Sequence, residues 1–293
     1  MTDTSSAAAA LPGTLYVVAT PLGNLGDLSA RARAVLAGVD LVAAEDTRHT
    51  LRLLDHLGLH KKLMAVHEHN ERESAARLVD RLRDGASVAL VSDAGTPAVS
   101  DPGARVVRVV QDAGLPVVPV PGPSAVITAL SAAGLLDARF LFVGFLPVKS
   151  GARRTELEKL KALPATLVFY EAPHRIEETV TDLLGVLGPQ RELVLARELT
   201  KLFESIVRMP LGDGPAWLAG DEHRRKGEFV VLVSGAAESG AHLTSEAERA
   251  LGALMQAVSV RQAVQLAAEI TGVSRKLLYE RALQLKQQGG SEP

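Results

Sequence analysis

Several short stretches of this 293-residue chain place carboxylates, hydroxyls and glycines directly behind apolar runs. In "VALVSDAGTPAVSDPG" the run Val88 to Val91 is short and β-branched, and Ser92-Asp93-Ala94-Gly95-Thr96-Pro97 then breaks every regular pattern. Two readings fit it. One is a tight turn, with Asp93 bonding its own backbone and Gly95 at positive φ. The other is a ligand loop at the carboxyl end of a parallel strand, where open α/β sheets bind their ligands. "TPLGNLGD" offers close backbone approach at Gly23 and Gly26, yet it is neither a dinucleotide fingerprint nor a P-loop. "AAEDTRHT" gathers Glu45, Asp46, Arg48 and His49, either as a helix start with acids at its positive end or as an acid–base cluster. "FYEAPHR" and "ARELTK" set Glu171, Arg175, Arg197, Glu198 and Lys201 behind two more strand-like runs. Such carboxylates could accept a proton, and such cations could hold phosphate or pair with the acids.

The elements that must carry these loops follow from hydrophobic spacing. Strand-like runs at Leu15–Ala19, Leu41–Ala44, Leu63–Val66, Val88–Val91 and "LPVVPV" alternate with helical stretches, which predicts a parallel sheet covered by helices. Asn70 and Glu73 have the spacing of a capping box. After the proline-rich "VPVPGPS" a helix from Ser124 to Ala133 precedes strands at Phe140–Gly144, Thr166–Tyr170, Glu192–Ala196 and Glu228–Val233. Two strand-like runs between Ala196 and Arg208 lie close enough to predict an antiparallel pair and a mixed sheet. Ser124 lacks a nucleophile-elbow pattern and reads as a helix cap. The expected organisation is a disordered tail over 1–12, one α/β domain over 13–121, a second over 122–235, a linker over 236–246 and a helical region over 247–293. "QAVQLAAEITGVSRKLLYERALQL" in that last region reads as a helix-turn-helix pair or as an ordinary helical hairpin.

Composition narrows the chemistry. Zero cysteines exclude disulfides, thiolate zinc sites and cysteine nucleophiles. His67-Glu68-His69 lacks an identifiable third ligand, so no metal is expected. No apolar run is long enough to span a bilayer, and a cytoplasmic protein is the simplest expectation. With a net charge of −2, attraction to nucleic acid must come from local patches. Candidates are Arg224, Arg225 and Lys226 after His223, then Lys149 with Arg153 and Arg154, and Arg275 with Lys276.

Eight motifs occur in a fixed order: "LYVVATPLGNLGDLSARA", "AAEDTRHT", "LVSDAGTPAVSDPG", "VPGPSAVITALSAAGL", "FVGFLPVKSGARR", "TLVFYEAPHRIEETV", "LARELTKLFE" and "RRKGEFVVLV". Together they resemble the bacterial small-subunit ribosomal RNA methyltransferase I family of the tetrapyrrole methylase superfamily. The resemblance implies two α/β domains with S-adenosylmethionine in the cleft between them. It implies methylation of a cytidine ribose 2′-hydroxyl in 16S rRNA at the decoding centre, and a homodimer. Leu22, Gly23, Asp93, Gly95, Thr96, Ser124, Ala125, Tyr170, Ala196 and Gly227 fall on motifs that border the cofactor in that family. Glu45 or Glu171 would be the base or orienting acid, with His49, Asp46, Glu198 and Lys201 as other candidates. Arg48, Arg175, Arg197, Lys201, Arg224, Arg225, Lys226, Arg275 and Lys276 would meet RNA, on naked 16S rRNA or on the small ribosomal subunit. Two competing readings are the same fold acting on a tetrapyrrole or other small acceptor, and a nucleic-acid-binding regulator built on the C-terminal helices.

Overall fold

The computed structural model describes residues 10–67, 70–236 and 245–288. Most of the expected tail and linker therefore lies outside the described residues, as do Glu68 and His69 of the histidine pair.

Strands β1 (Leu15–Val18), β2 (Leu41–Ala44), β3 (Lys62–Ala65), β4 (Val88–Val91) and β5 (Val117–Val120) form a parallel sheet in the order β3-β2-β4-β1-β5. Their side chains alternate between two cores. Leu15, Ala43, Val88 and Leu90 face one way, while Tyr16, Val18, Val42, Ala44, Ala89 and Val91 face the other. This is why the runs read as continuously apolar. The helices are α1 (Ala30–Gly38), α2 (Thr47–His56), α3 (Glu71–Arg83) and α4 (Ala104–Asp112). Val35 and Leu36 of α1 pack on one face, and Leu78, Leu82, Val106 and Val110 of α3 and α4 pack on the other. The chain steps from β1 outward to β3, then returns across the sheet to β5. Connections from the neighbours β1 and β4 therefore leave to opposite faces, and a crevice opens at their carboxyl ends.

The start of α3 departs from the sequence expectation. Asn70 makes no side-chain cap; its Oδ1 accepts the His67 backbone N–H instead, and Glu73 pairs with Arg77. Glu71, not Glu73, does the capping, and it caps another helix: its Oε1 accepts the N–H groups of Gly103 and Arg105 at the start of α4.

After α5 (Ala125–Ala133), strands β6 (Phe140–Phe145), β7 (Thr166–Glu171), β8 (Glu192–Arg197), β9 (Ser205–Pro210) and β10 (Phe229–Val233) build a second sheet in the order β6-β7-β10-β8-β9. It is mixed: β6 and β7 are parallel, and the other neighbours are antiparallel, including the β8–β9 pair. Val126, Ala129 and Ala133 of α5 cover one face over Val168, Val194 and Leu232. The other face is covered by α6 (Ser150–Leu160), α7 (Ile176–Leu187) and α8 (Gly214–Ala219). Both sheets belong to one compact unit ending at Gly235.

A second unit starts at Ala236. Its helices α9 (Ser245–Ala257), α10 (Val260–Thr271) and α11 (Arg275–Gln288) pack around Leu251, Val264, Ala267 and Leu278. Ser259 and Gln262 form a reciprocal capping box at the start of α10, and Gly272 ends that helix at φ +71°. None of the described helices is long and apolar enough to cross a membrane.

Candidate active site

Loops from both sheets converge on a cavity of about 480 Å³, a size suited to a small-molecule ligand. From the first sheet, the loops after β1, β4 and β5 are tied to one another. Thr20 and Gly95 exchange backbone hydrogen bonds of 2.9 and 3.0 Å, and the Thr20 hydroxyl donates to the Ser92 carbonyl. The Thr96 hydroxyl donates to the Pro123 carbonyl at 3.0 Å. Gly95 sits at φ +81°, so its backbone can face the cavity without a side chain in the way. Leu22, Gly95, Thr96, Ser124 and Ala125 line this wall. From the second sheet come Tyr170, Glu171, Ala196 and Val230, with Phe145 meeting the Tyr170 ring edge-on at 5.6 Å. Ser124 does precede α5, but its side chain makes no cap hydrogen bond and instead lies on the cavity.

Three residues expected beside the ligand stand back from the lining. Asp93 accepts the Asp46 backbone N–H at 3.1 Å and thereby joins the loops after β4 and β2. Gly23 lies against the Lys201 side chain; a Cβ there would come within 2.4 Å of Lys201 Cγ. Gly227, at φ +90°, lies against Glu198, whose Cγ would be 2.4 Å from an added Cβ. These glycines make room for an ion cluster. Lys201 Nζ donates to Glu198 at 3.0 Å and to Glu228 at 2.8 Å. Burial works against the Lys201 charge, yet the two carboxylates outweigh it and hold its pKa above the usual lysine range. Through Gly23, this cluster braces the loop after β1 against the turn after β8.

Glu171 lines the cavity but its carboxylate is committed. It is buried, with Oε2 accepting the Thr179 hydroxyl at 2.6 Å, Oε1 accepting the Ala172 N–H at 2.8 Å and Arg175 Nε 3.3 Å away. A different carboxylate, Asp101, lines the cavity close to Tyr170. Burial, with the charges of Glu45 and Asp93 nearby, pushes its carboxyl up to about 6 against a hydrogen bond from Ser92. Glu45 is itself raised by burial and by Asp93. Burial and the Asp101 charge raise Tyr170 in turn. Asp101 was not among the expected site residues, although it stands in the quoted "VSDPG". The signal was available: a second aspartate eight residues beyond Asp93 in one loop that breaks regular structure.

This geometry belongs to a known group of enzymes. The model of the Tetrapyrrole (Corrin/Porphyrin) Methylases matches residues 14–214, and that of the RsmI C-terminal HTH domain matches 241–286. A ribosomal RNA small subunit methyltransferase I from Pseudomonas aeruginosa is 53% identical over 93% of this chain and 97% of its own length. The chain belongs to this methyltransferase family. Solved tetrapyrrole methylases share its fold. The methyltransferase CobJ superposes with a TM-score of 0.59, at 20% identity, over 77% of this chain and 95% of its own. A uroporphyrin-III C-methyltransferase from Thermus thermophilus, complexed with S-adenyl homocysteine, gives 0.50 at 21% identity over 75% of this chain and 96% of its own.

The cations of this family member sort into two groups. Arg175 donates to the Leu146 carbonyl at 2.7 Å, and Arg197 to the carbonyls of His223 and Lys226 at 3.2 Å each. Arg224 lies 4.6 Å over the Trp217 ring and donates to the Trp217 carbonyl. Arg153 is fully buried against Asp182, so the patch expected around it is not a solvated one. These arginines hold loops and core. Arg225 pairs with Glu177 at 3.1 Å, and Lys226 with Glu222 at 2.9 Å on the surface. Arg48 is exposed while bonded to Asp46, which it holds well below the usual carboxylate range. Arg275 and Lys276 are exposed at the start of α11. Among the described residues no group of three or more metal-ligating side chains is found.

Proposed function

We propose that this protein transfers a methyl group from S-adenosylmethionine to the ribose 2′-hydroxyl of a cytidine in the decoding centre of 16S rRNA. The observation that carries the reading is the 53% identity to a ribosomal RNA small subunit methyltransferase I across nearly the whole of both chains. The cavity supports it. Leu22, Ala125, Tyr170, Ala196 and Val230 give apolar walls for a base and a thioether chain, while Ala94 to Thr96 present backbone where a side chain would intrude. The nearby carboxylates of Asp101 and Glu228 suit a ligand that carries positive charge. When bound, S-adenosylmethionine supplies a methyl group activated by its sulfonium centre.

The protein's own residues must then orient the acceptor, exclude water and receive a proton. Asp93 holds the loops after β2 and β4 together, Glu171 locks the turn after β7 for orientation, and Glu45 adds negative charge behind Asp101. Arg48, Lys226, Arg275 and Lys276 are the exposed cations suited to phosphate. The reading includes action in the cytoplasm and a homodimer, for which Ile127, Leu136, Phe140 and Leu141 are exposed apolar residues that a second copy could cover.

The deciding experiment is methyl transfer from labelled S-adenosylmethionine to small ribosomal subunits lacking the modification, followed by nucleoside mapping. Label in a cytidine ribose is the expected result, and no label in RNA rejects the reading. The tail has its own test. Arg275→Glu with Lys276→Glu should weaken subunit binding, and should flatten the plot of log affinity against log salt by roughly two contacts' worth, a slope change of about 1.8. An unchanged slope would remove these two residues from the RNA interface.

A further inference from the structure

We propose that Phe145 is the platform on which the base of the acceptor nucleotide stacks when that nucleotide enters the cavity. The assignment rests on the methyl-transfer reading above and adds how the substrate is held. The cavity lining is graded in exposure. Gly95, Ala196 and Val230 are buried at its floor, while Phe145, Pro173 and His174 are exposed at its rim. A small cofactor can be enclosed at such a floor, but a nucleotide that belongs to a large RNA must come in over the rim. Phe145 is 57% exposed there. Phe140, Phe203 and Tyr279, the other exposed aromatic side chains among the described residues, are not part of the lining.

The strand that carries Phe145 is built to turn this ring toward the cavity. β6 pairs with β7 from Phe140–Thr166 to Phe142–Val168, then skips Val143 and resumes at Gly144–Phe169 and Phe145–Tyr170. In an unbroken register Gly144 would stand beside Tyr170, and the rim would have no ring. The extra residue brings Phe142 and Phe145 onto one face. Both meet the Tyr170 ring edge to face, with centroids 4.9 and 5.6 Å away. Gly144 carries the bulge at φ +79°, and a Cβ there would come within 3.2 Å of Ser100 Oγ. The Phe145 and Tyr170 ring planes are inclined at 65°, a contact that occupies one side of Phe145 and leaves a face for another flat group.

The occupant of that face follows from the substrate. A ribose hydroxyl in folded RNA cannot reach a methyl group enclosed between two sheets unless its nucleotide leaves the stack. Unstacking costs the base its neighbours, and an aromatic face returns part of that contact. The exposed cations named above hold the RNA backbone whether or not the nucleotide has been drawn out. Phe145 therefore sets the fraction of bound substrate that is drawn out, and with it the rate at saturation rather than the affinity for the subunit.

The test is single-turnover methylation of unmodified small subunits, with saturating S-adenosylmethionine and increasing enzyme. Wild type is compared with Phe145→Leu and Phe145→Met, which stay apolar but lack a ring, and with Phe145→Tyr, which keeps one. Each ringless variant should lose about 5- to 150-fold in maximal rate, the range for stacking of one base. The enzyme concentration giving half the maximal rate should stay within threefold, and so should S-adenosylhomocysteine affinity by calorimetry. Phe145→Tyr should restore the rate to within threefold. A merely structural prop for Tyr170 would instead move the cofactor affinity, because Tyr170 lines the same cavity. A loss of less than fivefold in either ringless variant overturns the assignment. So does a fall of tenfold or more in S-adenosylhomocysteine affinity, which places the ring against the cofactor or its wall. A changed oligomeric state in sedimentation velocity overturns it as well, placing the ring between copies of the chain. Failure of wild type to methylate the subunit overturns the functional reading, and the assignment with it.

Discussion

Replacing Gly95 with valine should weaken binding of S-adenosylhomocysteine by at least a hundredfold, about 2.8 kcal/mol, with the sheets still folded. Three features of the site combine to give so large an effect. Gly95 sits at φ +81°, where any side chain costs about 1–2 kcal/mol and a β-branched one more. The new Cβ would lie 3.3 Å from Leu22 Cδ2, pushing a lining residue toward the cavity. Relaxing the backbone is not a free escape, since both the N–H and the carbonyl of Gly95 are bonded to Thr20. Strain and displacement therefore fall on the ligand wall. Calorimetry measures the affinity, and the circular-dichroism melt reports whether the fold survives. Near-native affinity would mean that this loop does not approach the cofactor.

Much of this architecture could be read directly from residue order. Val88 to Val91 is apolar at every position because both faces of β4 are covered, and the glycine and proline behind it mark the carboxyl end. The hairpin between Ala196 and Arg208 was legible for the same kind of reason, two strand-like runs too close for a crossover. Helix α6 was hidden because its inward face carries Arg153, which a hydropathy pattern scores as solvent-facing. The capping at α3 was misread because Glu71 serves a helix more than thirty residues away, and spacing records only local partners.

The site shows the same division. Leu22, Gly95, Thr96, Ser124, Ala125, Tyr170 and Ala196 were named from motifs and line the cavity. Gly23 and Gly227 fall on motifs that are expected to border the cofactor, and in the fold their missing side chains leave room for Lys201 and Glu198. A glycine in a loop announces a close approach without saying to what. Asp101 escaped notice for a different reason. The environment of a carboxylate is set by its neighbours, and Glu45 is 56 positions away in sequence, so only the folded chain brings the two charges together.

Arg153→Met is the substitution expected to cost the most stability, about 3 kcal/mol or more. Arg153 is fully buried on α6, with Nε 2.7 Å from Asp182 on α7, and its other nitrogens reach the Val148 carbonyl and Glu178. Methionine can fill much of the volume but leaves Asp182 buried with only Arg154 and Ser150 to satisfy it. Burial alone would raise the Asp182 carboxyl; the hydrogen bonds from Arg154, Arg153 and Ser150 outweigh it and hold the group below its ordinary value. Its stabilising contribution is thus fully present above the unfolded-state value near 3.9 and is lost as pH falls through the lower folded value. The gap between wild type and Arg153→Met should accordingly be widest near neutral pH and shrink in acid. Urea unfolding followed through Trp217, the chain's single tryptophan, reports on this sheet because its side chain packs against the same core. Adding Asp182→Leu to Arg153→Met should recover most of the loss, since an apolar pair leaves no buried charge without its partner. A single variant within 1 kcal/mol of wild type would show that Arg154 and Ser150 suffice for Asp182, and that the buried arginine contributes little net stability to the lobe carrying Tyr170 and Glu171.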